Sequence, residues 1–311
     1  MRAFVFPGQG AQTLGMGRDL ADTRPEAKAV FEEVDEALGE RLSAVIWGED
    51  IDALTLTANA QPALMATSMA AMRALEAEGV TMGAASFVAG HSLGEYSALC
   101  AAGALTLTDT ARLLRTRGEA MQKAVPVGEG AMAALLGLDF DTAMAVAEEA
   151  AQGQVCQAAN DNDPSQVVIS GHKDAVARAA DLAKEKGAKR ALILPVSAPF
   201  HCDLMAPAAQ VMAEALEQVE ISAPDVPVVA NVLASAIDSP TAIRSALVTQ
   251  VTGSVRWRES VAWLAAQGVT ETWEIGAGKA LTGMIRRIHK PMETRAVGTP
   301  DDVRAAAESL A

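Results

Sequence analysis

Two hydrophobic rhythms run through the chain. Short apolar runs closed by turn residues occur at 2–6, 87–89, 131–138, 155–159, 167–170, 190–196, 226–232 and 270–275, the signature of short buried strands. Between them, apolar residues recur three and four apart and predict helices over 25–42, 61–78, 96–102, 107–121, 140–151, 175–186, 241–248, 256–266 and 280–288. Strand and helix alternate along most of the chain, which argues for an α/β protein with a parallel sheet. From Ala131 to Val196 the order becomes βαββαβ, with residues 160–166 read as a polar turn. That is the order of a ferredoxin-like unit. The expected architecture is a large α/β-hydrolase-like domain, residues 1–125 and 198–311, with a small ferredoxin-like subdomain inserted at 126–197. Met65, Met69 and Met72 of the second helix read as core filler.

The run Phe87-Val88-Ala89 leads straight into Gly90-His91-Ser92-Leu93-Gly94 and then into a helical pattern. A serine on such a strand-turn-helix junction projects its hydroxyl off the backbone, while the first N–H groups of the helix point at any oxyanion formed beside it. Gly90 and Gly94 fit a nucleophile elbow, where strand and helix approach with no side chain between them. Pro7-Gly8-Gln9-Gly10 forms a second tight loop after the first strand, and its glycines let the Gln9 backbone come close to a reacting group.

An activated serine needs a base, and the chain has four histidines. His91 adjoins the serine and should diverge from it, His172 follows a strand of the small unit, and His289 ends an arginine-rich helix. His201, after the proline-bounded loop Pro195-Val196-Ser197-Ala198-Pro199-Phe200, is the best general base. No acid announces itself as its orienting partner, which leaves an amide or a backbone carbonyl for that role. On the 107–121 helix, at about 100° per residue, Leu107, Ala111, Leu114, Gly118 and Met121 share one face. Arg112, Arg115, Glu119 and Lys123 fall on the polar side, but Arg117 sits at the apolar margin. Its planar fork there suits either a substrate carboxylate or an internal salt bridge.

Composition narrows the classes. A net charge of −14 over 311 residues argues against a nucleic-acid binder, and no apolar window reaches a membrane span. Phe4-Val5-Phe6 is stopped at once by Pro7-Gly8, so no cleaved leader is expected. Cys100, Cys156 and Cys202 have neither metal-ligand nor Cys-x-x-Cys spacing, and a reduced, cytoplasmic protein without a metal is the expectation.

Taken together, Pro7-Gly8-Gln9-Gly10-Ala11-Gln12, Gly90-His91-Ser92-Leu93-Gly94-Glu95-Tyr96, Arg117-Gly118 with Met121, the Asn160/Asn162/Gln166/Ile169-Ser170-Gly171 stretch, Pro195 to His201, and Gln250 resemble the malonyl-CoA:acyl carrier protein transacylases, acyltransferases of fatty acid and polyketide synthesis. The resemblance covers nearly the whole chain in family order. It implies a ping-pong transfer of malonyl from malonyl-CoA to the phosphopantetheine thiol of acyl carrier protein. In that scheme Ser92 is the nucleophile, His201 the base and Gln250 its orienting partner. Arg117 holds the malonyl carboxylate, the N–H groups of Gln9 and Leu93 form the oxyanion hole, and Met121 and Phe200 line the acyl site. No cofactor is implied beyond the coenzyme A thioester as substrate, and a monomer is expected. Two departures from the family pattern, Ser254 and Ala277 in place of prolines, are expected to loosen loops near the mouth.

Other classes remain open at this stage: an α/β serine hydrolase such as a thioesterase, a polyketide-pathway acyltransferase, or a non-catalytic acyl-CoA or carrier-protein binder. Carrier proteins are acidic, as is this chain, so docking needs a local basic patch. Lys184, Lys186, Lys189 and Arg190 offer one, and Lys279, Arg286, Arg287, His289 and Lys290 another. Lys189, Arg190, Arg286 and Arg287 are the docking candidates.

Overall fold

The computed structural model describes residues 1–196 and 198–310; Ser197 of the proline-bounded loop lies outside them, as does Ala311. The strands are β1 (Arg2–Phe6), β2 (Phe87–Gly90), β3 (Gly130–Leu136), β4 (Cys156–Asp163), β5 (Gln166–His172), β6 (Arg190–Ile193), β7 (Val228–Ala230), β8 (Ser235–Ile237), β9 (Glu271–Ile275) and β10 (Glu293–Val297). They build a six-stranded sheet in the order β10-β9-β1-β2-β7-β8 and a four-stranded sheet in the order β4-β5-β3-β6.

In the larger sheet the pairs from β10 through β7 are parallel and only β8 runs against its neighbour. Parallel neighbours require crossovers, and helices supply them. The Thr57–Ala77 helix is buried on nearly every side, which is why it reads as Ala and Met with no polar face. Met65, Met69 and Met72 are core filler, as their spacing predicted. The Leu107–Lys123 helix packs on it closely, and a Cβ at Gly118 would stand 2.6 Å from Ala58 Cα.

The smaller sheet is antiparallel throughout. Strand alternation divides its two faces. Ala133, Leu135 and Ile169 pack with Val146 and Val176 of the Phe140–Ala151 and Lys173–Glu185 helices. Met132, Ala134 and Val168 on the other face join the main core. One sheet thus closes its own core and contributes a wall to the other.

Two expectations need correction. The 25–42 helix ends at Leu38, where Gly39 takes φ +66 as the cap, and a separate short helix follows at Leu42–Ile46. Residues 160–163, read as a polar turn, are the end of β4, and the turn is confined to 164–165. Period-2 reading failed there because Asn160, Asp161, Asn162 and Asp163 are all buried, the last three with side-chain partners distant in the chain. The Ala206–Glu217 and Pro300–Glu308 helices were not anticipated. Among the described residues no helix is long and apolar enough to cross a membrane.

Candidate active site

β2 ends at Gly90 and the Gly94–Ala101 helix begins four residues later. Between them Ser92 takes φ +53, a conformation that costs an L-residue of order 1–3 kcal/mol and persists only where its surroundings impose it. The junction is tight: a Cβ at Gly90 would run into the Gly94 carbonyl, and one at Gly94 into that of Phe6. Side chains from other segments fix the serine's peptide groups. Asn231 Oδ1 accepts the Ser92 N–H at 2.7 Å, and Gln250 Nε2 donates to the Ser92 carbonyl at 3.0 Å. The N–H groups of Gly94, Glu95 and Tyr96 turn back to the carbonyls of His91, Ser92 and Leu93. The cleft-lining Leu93, which caps the helix, is the remaining backbone donor of the turn.

Ser92 Oγ lies 2.8 Å from His201 Nε2. On the far side of the ring, Nδ1 faces two carbonyl oxygens, Gln250 O at 2.9 Å and Gly253 O at 3.2 Å. Carbonyls only accept, so Nδ1 carries the proton and Nε2 is left as the acceptor for the serine hydroxyl. Burial, and then the charge of Arg117, hold the His201 pKa down to about 3 against the opposing pull of the Gln250 carbonyl. The imidazole is therefore neutral at physiological pH. Gln250 does neighbour His201, but its side chain is not what orients the ring. The backbone carbonyl does that, while the amide faces Ser92, Glu95 and Arg117.

Arg117 is 1% exposed and forms no ion pair with a carboxylate among the described residues. Its Nη1 donates to Gln61 Oε1 at 2.7 Å, and its Nη2 to Gln250 Oε1 at 2.9 Å and Ser92 Oγ at 3.2 Å. The guanidinium is thus hydrogen-bonded by neutral amides and one hydroxyl, and the buried Glu95 carboxyl acts on its charge only through space. The internal salt bridge that the helix position also allowed is absent from these contacts. A buried cation of this kind favours an incoming anion strongly.

These groups open onto a cleft of about 370 Å³ between the two sheets. Gln9, Leu93, Met121 and Phe200 line it, as expected, and Asn160, Asn162 and Gln166 form its wall on the small-sheet side. Gln9 is steadied through its side chain, whose Oε1 accepts from Thr57 Oγ1 at 2.9 Å. His91 also lines the cleft but diverges from Ser92, its Nε2 lying 2.8 Å from Asn162 Oδ1. His172 accepts the Val155 N–H through Nδ1, away from the cleft. None of the docking candidates lines the cleft: Arg287 pairs with buried Asp163 at 2.8 Å, and Arg286 Nε donates to Thr294 Oγ1 at 2.8 Å.

Ser254 does not loosen its loop. Its hydroxyl donates to Ala158 O, and backbone bonds on either side of Val255 tie the segment to β4. Three site residues escaped the sequence reading: Gln61, Asn231 and Glu95. Glu95 is 1% exposed, and its Oε2 accepts from Asn231 N at 2.9 Å and Gln250 Nε2 at 2.8 Å. Burial pushes its carboxyl up to about 7, against the pull of those two donors and of Arg117. The one available signal was an acid next to the turn in an otherwise apolar helix, Gly94–Ala101.

The acyl transferase domain model matches residues 3–300 of the chain. The malonyl CoA-acyl carrier protein transacylase of Bacillus subtilis is 47% identical over 309 residues, covering 99% of this chain and 96% of that protein. The crystal structure of acyl-carrier-protein-S-malonyltransferase from Bartonella henselae is 55% identical, covers 99% of both chains and has a TM-score of 0.97. A malonyl-transacylase solved with its type II PKS acyl-carrier protein is 45% identical, with a TM-score of 0.96 and 99% coverage of both chains.

Proposed function

Given that the chain belongs to the acyl transferase domain family, we propose that it carries malonyl from malonyl-CoA to the phosphopantetheine thiol of acyl carrier protein through an ester on Ser92. The protein is an acyltransferase of fatty acid or polyketide synthesis. The observation that carries the mechanism is the position of one hydroxyl, with Ser92 Oγ 2.8 Å from a neutral histidine nitrogen and 3.2 Å from a buried guanidinium.

In the first half-reaction Ser92 Oγ attacks the thioester carbonyl while His201 Nε2 takes the hydroxyl proton. The oxyanion is held by the N–H groups of Gln9 and Leu93, an interaction worth about 3 to 4 kcal/mol per donor in comparable sites. Collapse breaks the C–S bond, and the imidazolium returns its proton to the departing coenzyme A thiolate. The second half mirrors the first. The carrier thiol loses its proton to His201 and attacks the Ser92 ester, and the serine oxygen leaves and is reprotonated.

Arg117 binds the free carboxylate of malonyl in this reading. That contact does a second job. The Arg117 charge is one of the causes of the depressed His201 basicity, so a carboxylate on Arg117 offsets it and makes the base stronger when the correct substrate is bound. Met121 and Phe200 shape the acyl pocket, and the Phe200 ring disfavours an α-methyl. One methyl is worth about 10- to 200-fold, so methylmalonyl is discriminated only in part.

The Gly90–Gly94 turn acts as a nucleophile elbow, supported by φ +53 at Ser92 and the close approach at Gly90. The strand order β4-β5-β3-β6 supports a ferredoxin-like unit inserted at 126–197 into an α/β-hydrolase-like domain formed by 1–125 and 198–311. Lys189 and Arg190, both exposed, are the proposed contacts for an acidic carrier protein, with Arg286 and Arg287 as a second patch. The enzyme works as a cytoplasmic monomer without metal or tightly bound cofactor. Mixing it with labelled malonyl-CoA tests the reading. Stable label on Ser92 that moves to carrier protein is the expected result, whereas rapid release of free malonate would make the protein a hydrolase.

A further inference from the structure

Ser92 holds a strained backbone, and the groups that hold it converge on a single atom. Asn231 Oδ1 accepts the Ser92 N–H, its Nδ2 donates to Gly90 O at 2.6 Å, and its own backbone N–H ends on Glu95 Oε2 at 2.9 Å. Gln250 Nε2 donates to the Ser92 carbonyl and ends on the same Glu95 Oε2 at 2.8 Å. Both sides of the serine peptide therefore hang from one carboxylate oxygen through one residue each, Asn231 by its backbone N–H and Gln250 by its side-chain amide. All three residues are buried, so no water can substitute for a lost partner without rearrangement. Glu95 touches neither Ser92 Oγ nor the cleft.

We infer that Glu95 is a positioning residue which, through Asn231 and Gln250, holds the Ser92 turn in its reactive geometry for any acyl group. The inference rests on the Ser92 acyl-enzyme reading above. What the role requires is an acceptor oxygen at the right reach rather than a negative charge, because Oε2 accepts both N–H groups whether or not a proton sits on Oε1. The carboxyl's position near neutrality, about 7, fits that requirement.

Two conservative variants separate reach from charge. Glu95→Gln keeps the reach and loses the charge. Glu95→Asp keeps the charge but is one methylene shorter, about 1.5 Å. Each is compared with the unaltered full chain in three single-turnover assays: labelled malonyl-CoA, labelled acetyl-CoA, and phenylmethanesulfonyl fluoride, which reports Ser92 reactivity without any natural substrate.

Glu95→Gln should acylate within a few-fold of the unaltered protein. Glu95→Asp should fall by about 100-fold, the cost of a displacement of order 1 Å at a reacting centre, in all three assays and with KM for malonyl-CoA little changed. Full rate in Glu95→Asp, equal losses in both variants, or a loss confined to malonyl overturns the inference. The last outcome would place Glu95 behind Arg117 alone. If the unaltered protein takes no malonyl label, the acyltransfer reading fails. The sulfonyl fluoride rates still decide whether Glu95 positions Ser92. A variant whose fold is lost shows itself in the melting temperature, and the other variant then decides alone.

Discussion

On the Ser92 side of the cleft, buried polar groups are joined mainly by neutral amides: Gln61 and Gln250 hold Arg117, and Asn231 and Gln250 hold the Ser92 peptide. On the β4 side each buried carboxylate meets an arginine from a helix of the other unit. Asp161 receives Arg258 in a two-point contact at 3.0 and 2.8 Å, and Asp163 receives Arg287 at 2.8 Å. The difference fits the role proposed for each side. A reaction centre has to fix geometry without dictating where protons sit, and amides do that because they carry no charge. A boundary between two sheets has to hold long side chains across a gap, and ion pairs have the reach and directionality for it. Arg117 and Glu95 are the ionisable exceptions on the Ser92 side, and the low basicity of His201, due first to burial, records in part the Arg117 charge.

The largest effect should come from the proposed catalytic pair. Ser92→Ala abolishes the acyl-enzyme, and His201→Ala slows its formation by about 10⁴-fold or more, with the double variant no worse than the serine variant, since the two act as a unit. Single-turnover labelling with malonyl-CoA measures this, and a double variant far slower than either single one would break the pairing.

Arg117→Ala comes next and tests the first exception directly. Malonyl transfer should drop by about 100-fold or more while acetyl transfer is retained, because a buried two-point contact to the carboxylate is lost. The pH profile carries the sign. His201 must be neutral to act, and its pKa near 3 means that the acylation rate of the unaltered protein should hold as pH falls through 6.5. Removing the Arg117 charge favours the imidazolium, so the acid limb in Arg117→Ala should move to higher pH. A limb at 6.5 in the unaltered protein, or no displacement in the variant, would separate the two residues electrostatically.

The boundary should respond differently. Asp161→Asn weakens a buried, charge-assisted contact and should lower stability by about 2 kcal/mol, seen in denaturant unfolding, with the Ser92 acylation rate at saturating malonyl-CoA nearly unchanged. A large rate loss with unchanged stability would show that β4 serves the reaction centre rather than the boundary.

The smallest effects belong to the surface. Reversing Lys189 and Arg190 should raise KM for carrier protein several-fold, a defect that shrinks as salt rises because exposed charges are screened over about 8 to 10 Å. Reversing Arg286 and Arg287 should add a loss of stability, because Arg287 is the partner of Asp163. Carrier-protein kinetics indifferent to both charge and salt would move the docking surface elsewhere.

Much of the candidate site was legible in the sequence. Local sequence marks Ser92, because only glycine at positions 90 and 94 permits the approach of strand and helix. Helical phase marks Arg117, since a cation on an apolar face needs a reason to be there. His201 stood out through the prolines around it. The sequence order of β3 to β6 and their helices likewise announced the smaller sheet.

The rest lay in long-range pairing. The orienting acceptor of His201 is a backbone carbonyl, which every residue has and no side-chain pattern reveals. Glu95 and Asn231 are 136 residues apart in the chain and meet through a backbone N–H. The polar end of β4 reads as a turn until Arg258 and Arg287 arrive from more than 90 residues away. Sequence by itself determined which elements form and which residues are chemically out of place in them, because periodicity, glycine sterics and a misplaced charge are local properties. Tertiary structure alone decided which buried polar group satisfies which, because that depends on atoms brought within 3 Å by folding, and it is this pairing that turns a serine, a histidine and an arginine into one site.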